Sequence, residues 1–254
     1  MNREHISTAT LVGRLGQKPE LGETSEGVKF ARLNIATSER YTDRGGNIRE
    51  DTQWTRAVAW GDMAEKVAAD FDKGKGVSLT GSLRVNSYEK DGAKHRVLEL
   101  HIDSAAPAIE NFTSMNEAQL IGVVRSVEQK TLQSGATLTA VSVATTTVQN
   151  GKERDDWHNV TMWGKTGELA LKEISAGDTI SVNGSVRHKS IPGPEGVERR
   201  LSGIDCRQFQ VLERTQERQQ ASEQAKAPER EPATPPPPAR ARGRQRGKSV
   251  ERGM

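Results

Sequence analysis

Gln53-Trp54-Thr55-Arg56-Ala57-Val58-Ala59-Trp60-Gly61 and Asp156-Trp157-His158-Asn159-Val160-Thr161-Met162-Trp163-Gly164 are two versions of one pattern, and together they hold all four tryptophans of the chain. Side chains alternate between the two sides of a strand, so residues an even number apart share a face. In the first copy Trp54, Arg56, Val58 and Trp60 fall on one face, opposite Thr55, Ala57 and Ala59. In the second, Trp157, Asn159, Thr161 and Trp163 oppose His158, Val160 and Met162. At about 3.3 Å per residue, each strand sets two indoles about 20 Å apart along one side. Such a strand alone supports two readings: indoles packed in a core, as large aromatics usually are, or a platform on which flat rings stack.

The surroundings of each copy repeat too. Upstream of the first lie a short β-type run, Thr8 to Gly16, and a period-two run, Val28 to Thr37, in which Ala31, Leu33 and Ile35 alternate with Arg32, Asn34 and Ala36. Residues 42–52 are polar, contain Gly45-Gly46 and read as a loop. Downstream, Asp62 with Glu65 predicts a capping box, and Met63, Val67 and Phe71 mark one helical face that Lys73-Gly74-Lys75-Gly76 terminates. Two further strands are expected at Val77–Val85 and His95–Asp103, joined by the turn-rich Glu89-Lys90-Asp91-Gly92. The second half gives the same order, with Leu120-Ile121-Gly122 answering Leu11-Val12-Gly13, a helix over Thr166–Ile174, and strands at Ala136–Thr145, Thr179–Arg187 and Gly196–Asp205. The expected organisation is a domain over 1–104, a linker over 105–116, a second copy over 117–212 and a tail over 213–254.

Hydrophobic residues make up 33% of the chain, which is low for a sequence folded throughout. The deficit lies past Leu212, where Gln, Glu, Ala, Arg and Pro dominate and such a segment cannot bury enough apolar area to order itself. That tail carries the basic balance: ten Lys/Arg against five Asp/Glu from Arg214 onward, leaving 27 against 29 in the remainder. A polyanion bound by the folded part must therefore meet a local basic surface. The Arg240–Lys248 run, free of acids, is expected to act as a weak nucleic-acid arm. One cysteine, Cys206, allows no intramolecular disulfide and fits a reducing compartment. The N-terminus has no apolar run for a signal peptide and no stretch has transmembrane length, so a cytoplasmic location is expected.

Five strands with a helix between the third and fourth is the layout of the OB-fold, an all-β barrel that binds oligonucleotides. Leu11-Val12-Gly13-Arg14-Leu15-Gly16-Gln17-Lys18-Pro19-Glu20, Leu33-Asn34-Ile35-Ala36-Thr37-Ser38, the first tryptophan strand and Lys73-Gly74-Lys75-Gly76-Val77-Ser78-Leu79-Thr80-Gly81 together resemble the bacterial single-stranded DNA-binding proteins. The second copy is similar to them more loosely. The resemblance implies two tandem OB-folds that bind single-stranded DNA without sequence preference. It places Tyr41, Trp54, Trp60 and Tyr88 at base-stacking positions, with Arg56 and Arg84 as phosphate contacts. Stacking is sequence-tolerant because every base has a π-face, and arginine adds charge and cation–π contact.

In the second copy Trp157 and Trp163 remain and Arg187 answers Arg84, but Asn159 stands for Arg56, Val148-Gln149 for Tyr41 and Ile191 for Tyr88. Weak DNA binding, or a role in pairing subunits, is expected there. Because the family acts with four OB domains, a two-domain chain implies a homodimer. The end of the chain lacks the family's acidic tip. The alternative function is a primosome-type protein adaptor or an RNA-binding OB protein. No catalytic residue, cofactor or metal is expected: the histidines are scattered, and Gly243-Arg244-Gln245-Arg246-Gly247-Lys248-Ser249 has three residues, not four, between the glycines of a phosphate loop. Glu50-Asp51 and Asp155-Asp156 read as loop acids.

Overall fold

In Ile6–Leu15 (β1) every odd-numbered residue from Ser7 to Leu15 is buried, while Thr8, Thr10, Val12 and Arg14 keep contact with solvent. The same alternation builds the other strands, because one face of each must close an apolar interior. The computed structural model describes residues 5–43, 45–90, 93–132, 135–149, 151–192 and 198–215. The first half contains β1, β2 (Glu20–Glu23), β3 (Lys29–Thr42), β4 (Ile48–Trp60), α1 (Asp62–Asp70), β5 (Gly76–Lys90) and β6 (Ala93–Pro107). The second contains β7 (Met115–Thr131), β8 (Thr137–Gln149), β9 (Lys152–Trp163), α2 (Gly164–Glu173), β10 (Thr179–Pro192) and β11 (Glu198–Glu213).

Each half closes on itself. β1 pairs with β3, β3 with β4, β4 in parallel with β6, β6 with β5, and β5 returns to β1. The second ring runs β7, β8, β9, β11, β10 and back to β7, again with one parallel pair, β9 with β11. The architecture is therefore two OB-type barrels. Leu11, Leu33, Ile35, Leu79 and Leu100 fill the first, and Leu120, Val143, Met162, Ile180 and Ile204 the second.

Several local expectations change. β2 is an additional short strand, paired with β3 from Glu20↔Arg32 to Glu23↔Lys29. Residues 42–52 are not a loop throughout, because the β3–β4 ladder continues to Thr42↔Ile48. Cross-strand hydrogen bonds carry this polar hairpin beyond the core, and the Asp43 carboxylate accepts the Gly45 and Asn47 amides at its turn, each at 2.9 Å. β6 runs to Pro107, which pairs with Val77, so the connection to the second barrel is shorter than 105–116. The capping box does not form. Gly61 takes the N-cap position at φ 56°, and no side chain caps the helix. The buried helical positions are Ala64 and Val67, with Phe71 buried just past the helix end and Met63 only partly buried. Gly164 repeats the positive φ, at 51°, which explains why each tryptophan strand ends in Trp-Gly. The Pro- and Arg-rich tail beyond 215, including its Arg240–Lys248 run, lies outside the described residues.

The barrels are joined by antiparallel pairing of β1 with β7, from Ile6↔Ile121 to Val12↔Met115. Ala9 pairs with Ala118, its own counterpart 109 positions on (118 minus 9), so a pseudo-twofold axis passes between them. The seam contacts come in related pairs. The Val85 amide donates to Asp156 Oδ1 (3.1 Å) and the His188 amide to Gln53 Oε1 (2.9 Å). The Thr146 amide donates to His5 Nδ1 (2.7 Å) and the Ser38 amide to Ser114 Oγ (2.9 Å).

His158, the counterpart of Thr55, is 1% exposed at this seam. Its Nε2 lies 3.3 Å from Ser7 Oγ and 3.0 Å from Thr145 Oγ1. Ser7 spends its own hydrogen on the Leu83 carbonyl (3.1 Å), so it accepts from His158, and the neutral ring carries its proton on Nε2. Nδ1 has no partner among the described residues, so a second proton there would be buried without an acceptor. Burial, only partly offset by the Asp156 carboxylate, lowers the His158 pKa to about 4. The folded chain thus refuses a proton that the unfolded chain accepts below about 6.5. The stability His158 supports is complete above that value and falls as pH drops towards 4. Urea unfolding of His158→Thr is expected to show a stability slope between pH 6.5 and 5 that is shallower than wild type by up to about 1.4 kcal/mol per pH unit; an unchanged slope would place the titration elsewhere.

Candidate nucleic-acid interface

On β4 the outward side carries Trp54, Arg56 and Trp60, while Thr55, Ala57 and Ala59 are buried. Val58, on the tryptophan side by alternation, is covered at 7% exposure. Trp54, Trp60 and Trp157 are 46%, 43% and 43% exposed, whereas core neighbours of the same strands are near zero. Trp163 is half-buried. The first three are thus surface rings rather than core, and the cost of exposing indole needs a compensating use.

Local packing fixes their attitudes. A Cβ on Gly16 would stand 2.4 Å from Trp54 Cζ3, so the absence of a side chain there lets the indole lie against the backbone. Trp60 is flanked by Phe30 (centroids 5.8 Å apart, planes at 56°) and His101 (6.2 Å, 42°). Burial lowers the His101 pKa, so this ring beside Trp60 is neutral at physiological pH. The Arg32 guanidinium lies 4.6 Å from the Phe30 centroid, and Phe30 pairs directly with Trp60 across β3 and β4. Arg56 is exposed and only loosely held, 3.9 Å from Glu99.

The other expected positions divide. Tyr41 is 53% exposed near the tip of the β3–β4 hairpin. Tyr88 lies near the end of β5, paired through its backbone with His95, and its side chain is outside the described set. Arg84 and Arg187 depart from the expectation. Arg84 reaches across the seam to Thr147 Oγ1 (2.5 Å) and Asp156 (3.2 Å), a carboxylate only 2% exposed that Arg154 also contacts. Arg187 makes the related contacts to Asp51 and Glu39 of the first barrel. Both guanidiniums hold the barrels together instead of standing free for phosphate, and Asp51 and Asp156 are not loop acids but their partners. Sequence reasoning also missed Phe30, Arg32 and His101 around Trp60, and Arg125 and Lys189, whose cationic groups lie over the Trp157 and Trp163 rings. Only Phe30 and Arg32 carried a signal, as positions on the run paired with the tryptophan strand.

Among the described residues no cluster of three or more His, Cys, Asp or Glu could hold a metal. What the surface offers is flat rings interleaved with cations, the arrangement that binds unpaired bases and their phosphates.

Two OB barrels with ringed, cationic strand faces define a class of oligonucleotide-binding proteins. A model of the single-strand binding protein family matches residues 6–107 and again 115–212, and the chain belongs to that family. It is 36% identical over 97 residues to Single-stranded DNA-binding protein 1 of Chlorobaculum tepidum, spanning 37% of this chain and 60% of that one. It is 39% identical over 106 residues to the single-stranded DNA-binding protein of Paenarthrobacter aurescens, spanning 41% and 62%. In both cases less than two thirds of the relative is covered. The crystal structure of the wild-type single-stranded DNA-binding protein from Thermus aquaticus superposes with a TM-score of 0.69 at 21% identity, over 84% of this chain and 96% of that one, and shares the fold.

The reassignment of Arg84 is open to measurement. Removing it leaves a buried carboxylate short of a charged hydrogen bond, so Arg84→Ala is expected to cost about 2–3 kcal/mol in chemical denaturation. Arg56→Ala, at an exposed site, should stay within about 0.5 kcal/mol of wild type. Equal, small effects would return Arg84 to the surface set.

Proposed function

We propose that this chain binds single-stranded DNA without sequence preference and without catalysis, acting in the cytoplasm in replication, recombination, repair or DNA transfer. The observation that carries the reading is the exposure of Trp54, Trp60 and Trp157 on strand faces whose opposite sides are closed core. Duplex DNA keeps its bases stacked internally and offers no ring faces to such a surface; a single strand does. Each stacked base contributes about 1–3 kcal/mol, and Arg56 and Arg32 supply charge against the backbone. Family membership and the names of the relatives support the same ligand.

Titrating intrinsic tryptophan fluorescence with single-stranded DNA, duplex DNA and RNA of equal length tests this. Strong quenching by the single DNA strand, a weak response to duplex and affinity that falls with salt are expected. Equal binding of duplex would defeat the platform reading, and a preference for RNA would change the ligand.

The working unit in this reading is a homodimer with four barrels. Strands β5, β1, β7 and β10 form a continuous sheet across both barrels. Its outward positions mix Thr8, Thr10, Ser78 and Gln119 with the half-buried Val12, Ile121 and Val123. A second copy related by a twofold would cover those apolar groups. Light scattering is expected to give twice the chain mass, and a monomer at micromolar concentration would remove this part of the reading.

A further inference from the structure

We infer that Arg125 and Lys189 are the cationic half of a single-strand site on the second barrel, replacing at new positions the two cations that barrel has lost. The inference rests on the single-strand reading above and deepens it for one half of the chain.

By strand register, Arg56 and Arg32 of the first barrel correspond to Asn159 and Ala140 of the second. On these positions alone the second platform is bare of charge. The structure supplies charge from elsewhere. Arg125 lies in β7 at a register shift between Val124, which faces Val143, and Ser126, which faces Ser142. Such a bulge leaves one residue unpaired and re-aims its side chain. Here the guanidinium carbon comes 5.6 Å from the centroid of the Trp157 ring. The counterpart of Arg125 in the first barrel is Gly16, the residue against which the Trp54 ring lies. One barrel therefore backs its indole with bare backbone and the other with a cation.

Lys189 does the same for the second indole, its Nζ 4.9 Å from the Trp163 ring centroid. Its counterpart in the first barrel is Asn86, which is committed to Glu99 at 2.7 Å. Arg125 and Lys189 are exposed, and neither has a carboxylate partner among the described residues. In this they differ from Arg84 and Arg187, whose charge is neutralised at the seam. A third cation is near, since Arg96 of the first barrel reaches the Trp157 carbonyl at 3.5 Å. Exposed cations held against one exposed and one half-buried indole, without a carboxylate partner among the described residues, fit a ligand that alternates flat rings with anions. That ligand is an oligonucleotide strand, with a base on the indole and its phosphate by the cation.

The test uses the full chain carrying W54F and W60F, so that emission comes from Trp157 and Trp163 alone, titrated with an oligothymidylate over a range of salt concentrations. Quenching is expected. Adding R125A and K189A should reduce the steepness of log affinity against log salt by about 1.4, from about 0.7 per charge on a single strand, and weaken binding tenfold or more at low salt. R125K with K189R, which keeps both charges, should restore the slope and shows that loss in the alanine variant is not misfolding. Unchanged slope and affinity in the alanine variant would overturn the inference. So would absence of quenching in the W54F/W60F chain while the wild-type chain is quenched, an outcome that leaves the single-strand reading standing for the first barrel. Failure of the wild-type chain to respond to the strand at all would sink both.

Discussion

The pairing of β1 with β7 is the contact on which the rest depends. It turns two barrels into one continuous sheet, and its register, with Ala9 opposite Ala118, sets which side chains face one another across the seam. A slip by one residue would turn Leu11 and Leu120, both fully buried, towards solvent. It would also move Asp156 away from Arg84 and from the Val85 amide. The small side chains at the axis allow the strands to approach without a protruding group, and the hydrogen-bond ladder supplies the direction. The barrels are thus oriented by backbone pairing first and by charged groups second.

That order explains what the arginines do. Buried ion pairs across a seam contribute little net stability compared with apolar packing, because both partners must be desolvated. They are costly to break, and they penalise any arrangement that leaves Asp156 alone. Arg84 therefore specifies the arrangement more than it strengthens it, whereas Arg187 meets the more exposed Asp51 and Glu39. The cations available to a ligand are different ones: Arg32 and Arg56 on the first barrel, Arg125 and Lys189 on the second.

The two barrels share a frame and differ in how they dress it. Thr55 becomes the buried, neutral His158; Gly16 becomes Arg125; His101 beside Trp60 gives way to Asp205 at the matching step of the parallel ladder. None of these exchanges disturbs the apolar alternation, so the barrel persists while its surface chemistry changes. A tandem chain is free to let its halves diverge in this way, since each position is encoded twice.

The sequence by itself determined the repeat, the all-β architecture with one helix per unit and the strand faces, while the exposure of Trp54, Trp60 and Trp157 was decided by the fold. Each of the first three follows from a local rule: period-two alternation sorts residues such as Leu33 and Ile35 from Asn34, and Met63, Val67 and Phe71 at a spacing of four mark a helical face. The tertiary structure alone decided where long side chains found their partners. Arg84 is expected as a phosphate contact only through the family resemblance, which sets it beside the stacking positions. Its partner Asp156 lies 72 residues away on another barrel, and no local periodicity encodes that meeting. The capping box failed for a related reason. Asp62 and Glu65 had the right spacing, but the backbone turn at Gly61 took the cap position and Glu65 instead paired with Lys29 on β3. The platform beside Trp157 was hidden in the same way, since the bulge that turns Arg125 towards it exists only once β7 and β8 are in register. Faces are set along the chain; partners are set between strands, where register and barrel closure bring distant residues within reach.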